Sequence, residues 1–341
     1  TNSVNTAVDV TSTAADDTIT VAGGNNYAKA VTVNKGAQLT VSGHLAAVGD
    51  VTVNGGTLIL KDAQSSLMLG AIKNVSDSIQ NKQHYEHNLK VTSGSDIQMN
   101  IANIGVANFD IAGSTISLKS GGAGGTNLTA YGAGAYQNDA QPANLSYNAV
   151  GKLTDVKATL EGGTNITAIG HLDIKGSAQD KSVINLQGMA SGSAGHTDSL
   201  AYIGGSKKLT IDNTTINVKD GSDKSKSKGT AIVSPDLQIT NSKIVIAAVN
   251  DTLTLGGLAD RNSVGGTPDL DSGDYTADTA TIKNSNISIT GGTLNLGHEA
   301  NTLQTKTSFN LTGNTIDNKG VINAYGNVTV DTVAGLYGAK G

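Results

Sequence analysis

One ten-residue pattern recurs through the chain: apolar residues at offsets 0, 2, 7 and 9, with small turn formers between the two pairs. It reads Val51-Thr-Val-Asn-Gly-Gly-Thr-Leu-Ile-Leu60 and returns from Phe109 to Leu118, Leu209 to Val218, Leu237 to Ile246 and Ala280 to Ile289. A sixth strict copy runs from Ile287 to Leu296, and looser ones sit at Val31 to Val41, Leu89 to Met99 and Phe309 to Ile316. Offsets 0 and 2 share one face of a strand, and 7 and 9 share one face of the next. The Asn, Gly and Ser residues between them supply positive φ or side-chain bonds to the backbone at a corner. Two-residue hairpin signatures are mostly missing, so antiparallel hairpins are a poor fit. Copies spaced 28 residues (209 to 237) or 43 (237 to 280) suit one coil, or one coil plus an insertion. The pattern therefore predicts an all-β chain: a right-handed parallel β-helix of roughly ten or more coils, each rising about 4.8 Å.

Composition agrees with a narrow core. The 341 residues include 43 Gly, nine Tyr, two Phe and no Trp, so rings cannot fill a thick interior. There is no Cys, which excludes a disulfide scaffold and thiolate metal sites. Arg261 is the only arginine and the net charge is -5, which argues against nucleic acid as a partner. No run of 18 apolar residues is present, so no transmembrane helix is expected. Length alone would allow two or three domains, but the repetition predicts a single elongated solenoid over 1–341.

Runs such as Val51-Thr-Val-Asn-Gly-Gly-Thr-Leu, Ile287-Ser-Ile-Thr-Gly-Gly-Thr-Leu-Asn-Leu and Phe309-Asn-Leu-Thr-Gly-Asn-Thr-Ile give the chain its family likeness. In them it resembles the β-helical passenger regions of bacterial autotransporters and related haemagglutinin-like surface proteins. The resemblance lies in the style of repeat and includes no diagnostic motif. It implies a secreted protein at the bacterial cell surface, an adhesin or a structural protein. No translocating barrel follows Leu336-Tyr-Gly-Ala-Lys-Gly341, so either a processed fragment or a member of another surface family, S-layer-like or filament-forming, is expected; Thr1 has no leader before it, so the chain reads as mature or trimmed.

Insertions are where solenoids usually carry function. The first, 61–88, places Met68, Ile72, Val75 and Ile79 at helical spacing and predicts one short helix, read as a lid on the core or a partner-binding element. His84 and His87 follow with Glu86 between them; on a helix they would share a face and could hold a divalent metal, although surface histidines are the plainer reading. The second, 120–150, carries Tyr131, Tyr136 and Tyr147 on a Gly/Ala/Asn-rich loop, either a recognition surface or a cover for apolar flank. The third, 219–229, is a Lys/Ser/Gly tip read as solvated loop. The fourth, 256–278, holds Asp269, Asp271 and Asp274, three carboxylates that could bind Ca²⁺, though the order of Gly273 and Asp274 departs from the calcium-loop template. An Asp-capped turn is the plainer reading, and no cofactor is expected.

Parallel β-helices also host polysaccharide lyases and hydrolases, whose sites need facing carboxylates or a carboxylate cluster with a basic residue. Here Trp is absent, Arg261 lies in a Gly/Asp loop, and Asp110, Asp173 and Asp212 are scattered, so no enzyme is expected. The polar segment 1–18, with Val8 and Val10 alternating, could pair with its own first coil or with a neighbour by strand addition. The partners this leaves are a host or cell-surface ligand and other copies of the chain, in a homo-oligomer or a head-to-tail filament.

Overall fold

The structure is a computed structural model that describes residues 8–12, 18–61, 65–70, 84–120, 125–138, 141–143, 145–187, 200–219, 229–247, 249, 251–256, 278–297, 307–331 and 334–337. From Asn25 the chain runs along three faces in turn and then repeats. Residues 25–28 lie on the third face and 31–34 on the first, both within the strand Asn25–Asn34. Gln38–Val41 lies on the second, His44–Ala47 on the third again, then Val51–Asn54 and Thr57–Leu60 on the first and second. Each strand pairs in parallel with the strands one coil before and after it. Val31 stands opposite Val51, and Leu89 opposite Phe109, so a plain coil takes 20 residues. The second face is a 12-stranded sheet; the first and third faces together form a 22-stranded sheet because Asn25–Asn34 belongs to both. The chain is a three-faced parallel β-helix.

The ten-residue pattern is one first-face strand, its corner and one second-face strand. Val51, Val53, Leu58 and Leu60 are fully buried, while Thr52 and Ile59 on the opposite faces are half-buried. Burying each such aliphatic side chain is worth about 1.5–3 kcal/mol. The copy from Ile287 to Leu296 marks a different corner, since Asn286–Ile289 is on the second face and Thr293–Leu296 on the third. The columns are filled by complementary sizes. Gly151 pairs with Phe109, and a Cβ at Gly151 would sit 2.5 Å from the Phe109 ring, so the glycine is the space that the ring occupies. Phe309 is likewise seated beside Ala280, with Gly256 and Gly297 against its ring edge.

Only the strands Thr252–Gly256 and Thr293–Leu296 of the third face alternate in burial among its described strands from Ser65 to Leu296; several others show no alternation to read. Ser65–Leu69, Thr164–Ala168 and Ala201–Gly205 are buried along their whole length, on outward as well as inward positions. A second cluster covers part of this face: Tyr27, Ala46, Met68, Tyr85 and Ala135, with Tyr131 and Leu145 packed against it. A three-stranded antiparallel sheet of His84–Tyr85, Ala135–Asn138 and Gln141–Ala143 lies beside it. Gly105 is outward on this face, and a Cβ there would come 2.8 Å from both Met68 and Tyr85.

Two expectations are corrected by these strands. Met68, assigned to a helix within 61–88, lies in the third-face strand Ser65–Leu69, where its coil neighbours bury it; no helix occurs among the described residues, and 71–83 lie outside them. The segment 120–150 is not one insertion either: Thr126–Ala130 is a regular third-face strand paired with Ala102–Val106 and Thr164–Ala168, and Ala149–Thr154 begins the next first-face strand. Small polar residues (Thr126, Asn127, Thr129) gave this strand the composition of a loop. No helix among the described residues is long and apolar enough to cross a membrane.

Candidate binding surface at the coil corners

The corner between the first and second faces is built the same way in coil after coil. One residue turns the chain with a left-handed φ: Gly113 at 54°, Asp155 at 53°, Asn213 at 48°, Asn241 at 50°, Asn284 at 52° and Gly313 at 65°. Gly, Asn and Asp are the residues that tolerate this region, Asn and Asp through local hydrogen bonding. In most of these coils the next residue is a small polar one, and it is buried: Ser114, Thr214, Ser242, Ser285 and Asn314. These side chains link the coils. The Thr214 N–H donates to Ser242 Oγ (3.1 Å), the Ser242 N–H to Ser285 Oγ (3.1 Å) and the Ser285 N–H to Asn314 Oδ1 (2.9 Å). The hydroxyls in turn donate to their own coil, Ser242 to the Thr240 carbonyl (2.7 Å) and Ser285 to the Lys283 carbonyl (3.0 Å). The Asx-Ser/Thr dipeptide thus turns the corner and leaves its buried N–H groups satisfied, as buried donors require.

The turning residues themselves face outward and line a groove of about 430 Å³ along this edge. Its floor is Asn213, Asn241, Asn284 and Gly313; its second-face bank is Thr215, Lys243, Asn286 and Thr315. These four are one register row, Thr215 pairing with Lys243, Lys243 with Asn286 and Asn286 with Thr315. At one end stand Gln179 and Asp180, from a corner that is longer than the others. Asp155 ties that longer corner down: its carboxylate accepts from the Ser177 N–H (2.6 Å) and the Ser177 hydroxyl (2.7 Å), which holds its pKa below the usual carboxylate range. Within the groove Thr215 donates to Asp180 (3.2 Å), Asn213 to the Gly176 carbonyl (3.0 Å) and Asn241 to Asp212 (2.9 Å). Asn284 and Asn286 make no side-chain hydrogen bond among the described residues and are exposed.

The candidate residues named from sequence are placed elsewhere. Tyr131 stacks on Tyr85 with ring centroids 4.2 Å apart and is half-buried against the rod; burial pushes its pKa up to about 12 and that of Tyr85 well above the ordinary value. Tyr147 also packs against the main core, at a left-handed φ of 54°. Tyr136 lies in Ala135–Asn138, opposite His84. His84 is in a strand, so the helical face that would have paired it with His87 does not exist; His87 Nδ1 lies 3.7 Å from Asp50. Among the described residues no group of three or more His, Cys, Asp or Glu is placed to hold a metal ion. Asp269, Asp271 and Asp274 lie outside the described residues, as do 220–228 of the Lys/Ser tip. Val8 and Val10 lie in Val8–Ser12, which pairs in parallel with Asn25–Asn34 of its own chain.

Two histidines on the rod have lowered pKa values. His44, whose Nδ1 is 2.7 Å from Ser66 Oγ, is shifted by burial. His171, 3.1 Å from Thr210 Oγ1, is shifted chiefly by burial, with nearby Lys208 and Lys152 adding to it and Asp173 and Asp236 opposing it. The carboxylates of the first face are interleaved with lysines: Lys90, Asp110, Lys152 and Asp173 follow one another in register. That order sets opposite charges side by side on successive coils.

No known protein family, no curated protein and no solved structure matches the chain.

Proposed function

We propose that the chain is a non-enzymatic extracellular protein of a bacterial surface, a β-helical scaffold that serves adhesion or a structural role. The observation that supports this best is the outward corner groove, where backbone turns, buried hydroxyls and exposed amides repeat in register on a rigid rod. Such a surface offers shape and many neutral hydrogen-bonding groups at fixed spacing, which suits recognition. Acid–base chemistry needs instead a few titratable groups with pKa values driven apart. The carboxylates of the first face alternate with lysines, an arrangement that serves register. The family resemblance in the repeats points to the same compartment and role.

The test is to label the full chain, incubate it with host epithelial and bacterial cells, and assay the same protein against acidic and neutral polysaccharides for new reducing ends. Saturable retention on one cell surface with no turnover is expected. Catalytic release of reducing ends would overturn the reading in favour of a polysaccharide lyase or hydrolase.

A second reading, a self-assembling filament or S-layer-like subunit, is favoured by the edge formed by Val321–Ala324 and Asn327–Asp331. Val330 there, in register with the buried Leu311, is 45% exposed, and a further coil laid on that edge would cover it. Sedimentation and negative-stain microscopy of the full chain decide it: polymers that V330K abolishes support assembly, and monodisperse single chains exclude it.

A further inference from the structure

We propose that the corner groove is a binding track for a neutral, hydroxyl-rich chain, an uncharged oligosaccharide lying along the rod. The proposal rests on the scaffold reading above and names the ligand class of its exposed edge. Three amides, Asn213, Asn241 and Asn284, stand on successive coils, and Thr215 and Asn286 stand beside them in a second row. A primary amide offers two donors and one acceptor within one plane, and a hydroxyl offers one donor and two acceptors. Such groups match the adjacent hydroxyls of a sugar ring, which both donate and accept. Successive coils lie about 4.8 Å apart, so the groups recur at the scale of one ring unit, and the five coils lining the groove, from Asp180 to Gly313, span about 19 Å.

The other occupants of such a groove are disfavoured by the same residues. A peptide strand added to a sheet edge needs free backbone N–H groups. At this corner those of Thr214, Ser242 and Ser285 are already given to the next coil. Among the described residues no apolar side chain lines the groove, so a peptide's alternate side chains would find no pocket there. A polyanion needs several cations; among the described residues Lys243 is the one cation lining the groove, and the carboxylate of Asp180 stands in it too. The volume of about 430 Å³ falls within the range of small-ligand sites. With no ring to stack on, each contact is weak, and affinity must accumulate with the number of coils engaged.

The experiment titrates the full chain with neutral glucan, mannan and xylan oligosaccharides of two to eight units, with an oligouronate and with an unrelated peptide, by calorimetry or ligand-observed NMR. At least one neutral series is expected to bind, more tightly with each unit up to about four or five. Its affinity should change less than twofold between 50 and 500 mM salt. The double substitution Asn241→Gly with Asn284→Gly removes two amides and keeps the left-handed turns accessible; it should weaken binding at least tenfold. Thr215→Val should weaken it separately, and Asn310→Ala on the first face should leave it unchanged. The proposal is overturned if no neutral series binds, if the oligouronate or the peptide binds in preference, or if the groove substitutions leave affinity unchanged. Sugars recovered from the mixtures are sized as well. Intact chains agree with the scaffold reading, whereas shortened chains overturn that reading while the affinities still judge the groove.

Discussion

At the scale of single residues, the corner Asx-Ser/Thr pair does two separate jobs. Asn241 supplies a left-handed turn, and Ser242 accepts the Thr214 N–H while being itself buried. Ser242→Ala leaves that N–H without a partner in the interior and is expected to cost about 1–3 kcal/mol, read from urea melts. Ser242→Thr keeps the hydroxyl and should cost less; equal losses would show that the hydroxyl is not the cause. Asn241→Val should cost about 1–2 kcal/mol through its left-handed backbone, whereas Asn241→Gly should be near neutral for folding. The half-buried histidines His44 and His171 give a pH dependence. Their folded pKa values lie below the unfolded value of about 6.5, so their contribution to stability is full above that pH. It declines as the pH falls below 6.5 toward the folded values, because the unfolded chain takes up protons first. Melting temperature should therefore drop on acidification from pH 7 to 5. H44Q with H171Q should flatten that slope, and an unchanged slope would assign it to other groups.

Elements show what could be read from the chain and what could not. First- and second-face strands such as Val51–Asn54 and Thr57–Leu60 are legible because one side is buried and the other half-exposed, so apolar residues alternate. Where the third face is buried on both sides it is illegible for the opposite reason, although Thr293–Leu296 alternates and is read in the copy from Ile287. Thr164–Ala168 is buried on both sides, and its outward Asn165 joins Asn127 and Asn103 in an amide ladder, so it reads as loop composition. Met68 misleads differently: its neighbours happen to recur at helical spacing, but its own strand is set by pairing with Gly105 and Ala46. The groove was equally hidden. Its asparagines are visible as corner residues, yet their alignment into one row depends on register across intervals of 28 to 43 residues. Packing between elements also depends on pairs that sequence order keeps apart. Gly151→Val should drive a side chain into the Phe109 ring and lower stability by about 1–3 kcal/mol. Adding Phe109→Leu should recover part of that loss; an additive double mutant would contradict the packing of one against the other.

At the scale of the whole molecule, the coils stack in strict register, and that register makes both the core columns and the exposed corner row. A solenoid is held by neighbour-to-neighbour contacts, so a slip at one coil would break the row beyond it. It would also turn inward residues outward, because side chains alternate along a strand. The chain has no Cys, so introduced thiols report register without interference. Paired residues on adjacent parallel strands lie within disulfide reach, while positions two residues out of step lie much farther apart. The most direct test is therefore oxidation of three double variants along the groove: T215C/K243C, K243C/N286C and the shifted control K243C/S288C. The account predicts rapid, near-complete crosslinking of the first two, whose residues face each other in the second-face sheet, and little of the third. Preferential crosslinking of the shifted pair, or none in either matched pair under mild oxidant, would contradict the register and with it the groove.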